Sequence, residues 1–432
     1  MNARAQVQAL LDFIDESPSP WHAVASIERQ LKAFSFSRLD ETHQWSLNKL
    51  GRYYVVRGDG SIIAFVMGKN ALEQTGFKMV GAHTDSPSLR IKPNPLTVDQ
   101  GLAKLQVEVY GSPILASFSD RELGLAGRVS YQTAQGGMAQ QLVCIDQPLL
   151  RLPNLAIHLN RGVNEEGLKF HKQHELGLIL GCVSEQLCDC SLLSLINAQL
   201  PSAVAQLLAW DLNVYDTQKG HFWGQAQEFY ANGQIDNLAS CHGAMQALLD
   251  ESVLDCDATL VCGFFDHEEV GSESYHGAAG RFLIDILRRI SQATSHDEQV
   301  FPRALAHSFL ISADMAHAYH PNFSPMYDAQ HRVHINQGVV IKMNINQRYN
   351  SDSVSQAMFM RWCQQAEVPY QIYSHRNDLP CGSTIGPIIS TKLGIRGVDI
   401  GNPMWAMHSC RESAGVFDHS AMIAVLKCFF NA

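Results

Sequence analysis

The sequence lacks the short motifs that bring thiolate, nucleotide or serine chemistry to a protein. Its eleven cysteines are scattered and form no C-x-x-C pair, which argues against a thiolate zinc site or a redox pair. The closest pair, Cys188 and Cys190, cannot hold a zinc ion alone, so we expect reduced thiols. Glycine-rich nucleotide loops and the G-x-S-x-G elbow of serine hydrolases are also absent.

Positive charge and long apolar runs are scarce as well. The formal net charge is -10, and lysine and arginine form no cluster, so we expect no nucleic-acid partner. No apolar run approaches the roughly 18 residues of a membrane-spanning helix. The first residues carry acids inside an amphipathic pattern, unlike a signal peptide. We therefore expect a cytoplasmic protein with no membrane partner.

The length of 432 residues exceeds what a single core usually supports, so two domains are expected. Ser17 or Ser19 is expected to cap a helix from about Pro20 to Phe34. In the outer segments, 1–94 and 229–432, apolar strands alternate with helical patterns, which predicts an α/β domain with a mainly parallel sheet covered by helices. Residues 95–228 show alternating polar and apolar positions, which predicts an inserted β-rich domain.

Candidate strands of the outer segments end in polar clusters. In open α/β sheets, ligands lie beyond the carboxyl ends of the strands, so these clusters are expected to meet in one crevice. Asp236, in "QIDNLAS", stands just before a predicted helix and can aim a carboxylate from a loop. The strand-end clusters are "VGAHTDSP" with His83 and Asp85, "FFDHEEVGS" with Glu268 and Glu269, "ISADMAH" with Asp314 and His317, and "GNPMWAMHSCRE" with His408.

Gathering so many carboxylates favours a metal site. Each desolvated ion costs several kcal/mol and like charges raise one another's pKa, and bound cations remove both costs. Histidine, aspartate and glutamate without thiolate suit zinc, although manganese or cobalt also fits. Two metals about 3.5 to 4 Å apart would hold a water as nucleophile. Because neighbouring side chains of an extended segment point to opposite sides, we assign Glu269 to the metal and Glu268 to proton transfer.

At these residues the chain resembles the aspartyl aminopeptidase family, dinuclear zinc exopeptidases that remove an N-terminal Asp or Glu from peptides. The resemblance covers nearly the whole chain. It rests on motifs that occur in the family's order and approximate spacing: "GAHTDSPSLRIKP", "DRELGLAGRV", "LAIHLNRGVN", "DNLASC", "FDHEEVGSES", "SADMAHAYHPNF", "INQRY" and "MHSCRE".

The resemblance implies a zinc exopeptidase fold with two zinc ions. It implies that Asp85 orients His83 and that Glu268 is the general base that works with a metal-bridging hydroxide. The implied metal ligands are Asp236 as the bridge, His83 and Asp314 on one ion, and Glu269 and His408 on the other.

The resemblance also implies that the inserted domain pairs subunits. His158 would then reach the partner's active site and stabilise the tetrahedral intermediate. His317, Lys342 and Tyr349 match positions that line the substrate pocket, and Lys342 is the natural partner of an acidic substrate side chain. The implied assembly is a homo-oligomer, expected to be a dodecamer built from dimers.

Other interpretations stay open from the residues. A single His or Asp at a strand end is most often a turn or capping residue. A dizinc carboxypeptidase or deacylase would use the same scaffold. A different class of protein, a non-catalytic assembly protein, would keep the geometry without turnover.

Overall fold

The computed structural model describes residues 2–183, 192–201 and 204–432, and Cys188 and Cys190 lie outside these ranges. The nine cysteines within the ranges are all free. No helix in the described part of the chain is long and apolar enough to cross a membrane.

The chain divides into two compact units. The first comprises the residues up to Asp85 together with Gly220–Met407 and Glu412–Ala432, and the second comprises Ser86–Lys219 with His408–Arg411. Both observed boundaries of the insertion fall nine residues before the predicted ones at 94/95 and 228/229. The strand that starts at residue 88 pairs within the insertion, and the strand that starts at residue 221 pairs within the first unit. No change of composition marks the four residues 408–411.

The elements are numbered along the chain over the described residues. The helices are α1 (Ala3–Asp15), α2 (Pro20–Ala33), α3 (Leu72–Thr75), α4 (Val163–Glu166), α5 (Leu192–Asn197), α6 (Ile235–Leu248), α7 (Phe282–Thr294), α8 (Val300–Ala306), α9 (Ser353–Gln365), α10 (Ile385–Leu393) and α11 (Val416–Asn431). The strands are β1 (Ser37–Arg38), β2 (Arg52–Arg57), β3 (Ser61–Val66), β4 (Phe77–His83), β5 (Ser88–Asp99), β6 (Leu102–Tyr110), β7 (Leu123–Thr133), β8 (Met138–Leu150), β9 (Leu178–Cys182), β10 (Val204–Asp216), β11 (His221–Trp223), β12 (Phe229–Asn232), β13 (Thr259–Phe265), β14 (Phe309–Ala313), β15 (Ala316–His317), β16 (Val339–Met343), β17 (Tyr370–Ser374), β18 (Arg396–Gly401), β19 (Pro403–Trp405) and β20 (Glu412–Gly415).

The first unit is built on a nine-stranded sheet, counted over the described residues, with the order β1-β2-β3-β13-β4-β14-β18-β16-β17. Its centre, β13-β4-β14-β18, is parallel. Three of the eight pairings are antiparallel: β2 with β3, β3 with β13, and β16 with β18. The α/β class is confirmed, and the sheet is mixed, with five parallel pairings beside the three antiparallel ones. The β2–β3 connection is a short hairpin, which joins antiparallel strands only.

Helices cover both faces of this sheet. Along β3, Ile62 and Ala64 pack against a core that includes residues of α1, α2, α6 and α11, whereas Ile63 and Phe65 pack against a second core with α7 and α10. This alternation is the period of two of a strand that is buried on both sides. Helix α2 begins after Ser19, whose hydroxyl accepts the His22 N–H, as the sequence predicts.

The second unit contains an antiparallel sheet of six strands among the described residues, in the order β8-β7-β10-β5-β6-β9. It has its own apolar core, with members such as Leu125, Val129 and Leu212. The predicted β-rich character of the insertion is therefore observed. A smaller sheet, β11-β12-β20-β19-β15, belongs to the first unit.

Helix α6 buries nearly all of its residues and carries a histidine that meets another on α11. The Nδ1 of His242 lies 2.9 Å from the Nε2 of His419, and the rings are stacked. Burial lowers the pKa of His419 to about 3. Burial also holds the pKa of His242 well below its usual value, and the neighbouring His419 adds to this effect.

Acid should therefore destabilise the first unit through this pair. The unfolded chain takes up these protons near pH 6.5, but the folded protein does so only at much lower pH, so stability is full above about pH 6.5 and falls below it. The loss is about 1.4 kcal/mol per pH unit for each proton. In His419→Gln, the urea unfolding midpoint should fall less steeply than in wild type between about pH 6.5 and 4.5. His43→Gln, at an exposed site, should keep the wild-type slope, and an unchanged slope in His419→Gln would contradict the account.

Candidate metal centre

Three neighbouring parallel strands bring titratable side chains to one edge of the sheet. Strand β4 ends at His83, β13 is followed by Asp266 to Glu269, and β14 is followed by Asp314. Since β4 pairs in parallel with both β13 and β14, their carboxyl ends lie side by side. This is the edge where open α/β sheets bind their ligands.

The side chains at this edge converge on His83, which is buried. Its Nε2 lies 3.5 Å from Oδ1 of Asp236 and 3.7 Å from Oδ1 of Asp314. Ligand atoms of His83, Glu268 and Glu269 lie within 4.8 Å of one another, and so do those of Asp236 and Glu269. These five predicted site residues of the first unit are therefore brought together.

Asp85 supports the cluster through both its main chain and its side chain. The Nδ1 of His83 is 2.9 Å from the backbone oxygen of Asp85, so a proton on Nδ1 would leave Nε2 basic and directed at the carboxylates. The carboxylate of Asp85 accepts the backbone N–H groups of Glu268 and Glu269, each at 3.1 Å, while its Oδ1 lies 3.5 Å from His83 Nδ1. The hydrogen bond that orients His83 thus comes from the main chain, and the side chain holds the two glutamates.

Asp236 is placed by a break at the start of α6. Its backbone has non-helical angles, φ -82° and ψ 104°, and its N–H donates to Glu412 Oε2 at 3.0 Å. The next residue, Asn237, donates from its side chain to the backbone oxygen of Ala313 at 2.8 Å, which ties α6 to β14. Sequence reasoning missed Glu412, a buried carboxylate 176 residues away along the chain. Its place in "MHSCRE" was the available signal.

The electrostatics of the cluster report an excess of buried negative charge. Burial raises the pKa of the Glu268 carboxyl to about 8, opposed by His83 and supported by the neighbouring carboxylates. Burial lowers the pKa of His83, but attraction to the neighbouring carboxylates of Asp236, Asp314 and Asp85 outweighs it and holds that pKa well above its usual value. Divalent cations would compensate this charge, and a donor set of imidazole and carboxylate suits zinc. The residues present therefore fit a zinc site.

Lys342 is the cation that the first unit places beside these acids. Its buried ammonium donates to the backbone oxygen of Met315 at 3.1 Å, and Nζ lies 3.4 Å from Oδ2 of Asp314. The same nitrogen is 5.1 Å from the ring centroid of Tyr349, which is also buried. For His317, burial lowers the pKa to about 4, with Lys342 adding to the effect. Of the three predicted substrate residues, Lys342 therefore lies beside Asp314, Tyr349 lies beside Lys342, and the pKa of His317 responds to the charge of Lys342.

Two predicted site residues belong to the second unit. His158 is exposed in the segment after β8. His408 is the first residue of the short segment His408–Arg411. Its Nδ1 lies 3.1 Å from the backbone oxygen of Ser112. When Nδ1 donates its proton to that oxygen, Nε2 is the nitrogen with a free lone pair.

Comparison with known proteins identifies the family. The model described as "Aminopeptidase I zinc metalloprotease (M18)" matches residues 13–430. A "Probable M18 family aminopeptidase 2" of Pseudomonas paraeruginosa (strain DSM 24068 / PA7) is 44% identical over 428 residues, which cover 98% of this chain and 97% of the relative.

Solved structures agree. One chain of the "Cryo-EM structure of the Ape4 and Nbr1 complex" matches with a TM-score of 0.96 and 37% identity, over 99% of this chain and 86% of that chain. The S. cerevisiae mApe1 dodecamer structure matches with a TM-score of 0.85 and 26% identity, over 98% of this chain and 95% of that one. The resemblance inferred from the motifs is confirmed. The chain belongs to the M18 family of zinc metalloproteases, and it is a zinc metalloaminopeptidase.

Proposed function

We propose that this aminopeptidase removes N-terminal aspartate or glutamate from peptides, using two zinc ions and Glu268 as the proton-transfer group. The observation that carries the proposal is the convergence of His83, Asp236, Asp314 and Glu269 on one buried edge, with Glu268 beside them. A single ion would leave part of this negative charge uncompensated, and two divalent ions would balance it.

In this proposal Asp236 bridges the two ions. His83 and Asp314 hold one ion, in keeping with the distances of His83 Nε2 to both carboxylates. Glu269 holds the other ion together with His408. The separations at His83 exceed a hydrogen bond, and they suit ligand atoms that share a cation with bond lengths of about 2.0 to 2.2 Å.

Bound zinc supplies Lewis acidity, which polarises the scissile carbonyl and acidifies water. Glu268 accepts the proton of the attacking water and delivers it to the leaving amine. Its partial burial beside the ligand carboxylates places it where it can take a proton from the water and pass it to the amine. Asp85 accepts the backbone N–H of Glu268, which fixes the main chain from which the carboxylate projects.

Lys342 is the proposed recognition group for an acidic side chain. Two of its three N–H directions face Met315 O and Asp314, which leaves one for a substrate carboxylate. Such a charge-assisted hydrogen bond contributes about 1.5 to 3 kcal/mol, or roughly 10- to 100-fold in selectivity. Salt screens the repulsion between the protein's net charge and an acidic substrate beyond about 8 to 10 Å, so the charges inside the pocket should decide selectivity.

The proposed assembly is a homo-oligomer in which the second unit pairs subunits and His158 enters the partner's active site. The segment around His158 exposes large apolar side chains: Leu155 is 66%, Ile157 47% and Leu159 76% exposed. A run of this kind is typical of a surface that another chain covers. The S. cerevisiae relative is a dodecamer, and we propose the same count for this chain, built from dimers.

Replacing Glu268 with glutamine should separate zinc binding from turnover. The variant keeps the size of the side chain but cannot accept a proton, so kcat should fall by about 10²- to 10⁴-fold with zinc content unchanged. Glu273→Gln, an exposed glutamate on the same loop, is the matched control and should stay near wild type. Metal analysis and kcat are measured on the same samples. Loss of zinc in step with activity would make Glu268 a ligand instead.

Substrate preference should depend on Lys342. Initial rates on unblocked substrates with N-terminal Asp, Glu, Ala or Leu should favour the acidic pair in wild type, and Lys342→Met should reduce that preference by about 10- to 100-fold. Lys392→Met changes a lysine whose ammonium meets the exposed Gly280 carbonyl, and it serves as the control. Equal wild-type rates on neutral substrates, or zinc loss in Lys342→Met, would overturn this assignment.

The role of His158 can be tested by complementation. His158→Ala and Glu268→Gln should each be nearly inactive, but co-expressed hybrids should regain activity because one site then combines an intact Glu268 with an intact His158 from the other subunit. Activity of the purified hybrid is compared with mixtures of the separate variants. A hybrid as inactive as its parents would mean that His158 acts within its own subunit or not at all.

A further inference from the structure

A second cluster of possible metal ligands lies on the loop that follows β13. It consists of Asp266, His267 and His276, which each offer one ligand atom within 4.8 Å of the others. None of these three residues belongs to the ligand set proposed above. Asp266 and His276 are buried and His267 is partly buried.

Of the two separations in this cluster, one is a long hydrogen bond and the other exceeds a hydrogen bond. Oδ2 of Asp266 lies 3.3 Å from Nε2 of His276 and 3.8 Å from Nε2 of His267. Hydrogen bonds between N–H and oxygen centre on about 2.9 to 3.0 Å. Ligands bound about 2.0 to 2.1 Å from a tetrahedral zinc ion stand about 3.3 to 3.4 Å apart. The spacing of Asp266 to His276 therefore fits a long hydrogen bond or a shared cation, whereas His267 is joined to Asp266 Oδ2 by no hydrogen bond and stands where a further ligand of the same cation would.

Neighbouring groups already fix the orientation of two of these ligands, His267 and Asp266. Nδ1 of His267 lies 2.9 Å from the hydroxyl of Ser274, so a proton there leaves Nε2 basic on the side of Asp266. Oδ1 of Asp266 accepts the backbone N–H of His267 at 2.8 Å, and Oδ2 is the oxygen that faces the rings. Gly60 leaves room for that oxygen, since a Cβ at this position would clash with it.

The negative charge of the buried Asp266 side chain would also be stabilised by a cation. Its side chain is 1% exposed, and the ion-pair partners that the structure gives it are the two imidazoles. A buried carboxylate is costly unless it is paired with a positive charge or a metal. Two neutral imidazoles and one carboxylate form a donor set that suits zinc, cobalt, nickel or iron.

We propose that Asp266, His267 and His276 bind one divalent transition-metal ion, separate from the catalytic zinc ions. The ion would tie the end of β13 to His276 and close the loop that carries Glu268 and Glu269. Because His267 directly precedes Glu268, occupancy would restrain the turn that positions the proton-transfer group. The site would therefore stabilise the catalytic loop rather than take part in the reaction.

The test counts ions rather than turnover. Wild type and His276→Gln are stripped of metal, dialysed against Zn²⁺ or Co²⁺, and analysed for bound metal per chain. Wild type should bind one equivalent more than His276→Gln, and this equivalent should raise the Tm of wild type alone. His331→Gln, which removes a half-buried histidine that pairs with Asp328, is the matched control and should bind as wild type does.

A difference between variants decides the question whatever the number of catalytic ions. Equal metal content in wild type and His276→Gln, with matching circular dichroism spectra, would overturn the proposal and leave a hydrogen-bonded trio. If His276→Gln fails to fold, Gly60→Ala keeps all three ligands but displaces Oδ2, and it should lose the same equivalent. Retention of that equivalent in folded Gly60→Ala would equally count against the site.

Discussion

Repulsion among buried and partly buried carboxylates is the constraint on which the candidate metal centre depends. The ends of three strands place Asp314, Glu268 and Glu269 around one buried histidine, and the start of α6 adds Asp236. Without cations the charged form of Glu268 is disfavoured, which raises its pKa, and the carboxylates hold a proton on His83, which raises the pKa of that ring. Zinc replaces those protons, so metal binding and the stability of the site should be linked.

The scaffold holds the site mainly through backbone hydrogen bonds. Asp85 binds the His83 ring with its carbonyl oxygen and the two glutamates with its carboxylate, so one residue sets three side chains. The carboxylate of Glu412, from a distant part of the chain, accepts the backbone N–H of Asp236 and so positions that residue. Such contacts preorganise the charged groups, which is how an active site avoids reorganisation during the reaction.

Local sequence patterns predicted the strand-end positions well, because a strand's carboxyl end is marked by an apolar run followed by polar residues. His83, Asp314 and the glutamate pair were found in this way. Partners that meet only in the folded chain were not: Glu412 and His276 lie in segments with no such pattern. The parallel pairings at the centre of the sheet follow the predicted alternation of strands and helices. The antiparallel pairing of β16 with β18 was not predicted, because pairing direction depends on connections that no local pattern shows. The observed boundaries of the insertion differ from the predicted ones because β5 and β11 belong to the units of the strands with which they pair, and local sequence does not show these partners.

Anomalous diffraction at the zinc edge, from crystals of the zinc-loaded protein, tests the central claim most directly. The account predicts two zinc peaks about 3.5 to 4 Å apart in the strand-end cluster, with Asp236 between them and Glu268 outside the bonding distance of both. A single peak in the cluster, or a peak with Glu268 as its ligand, would contradict it.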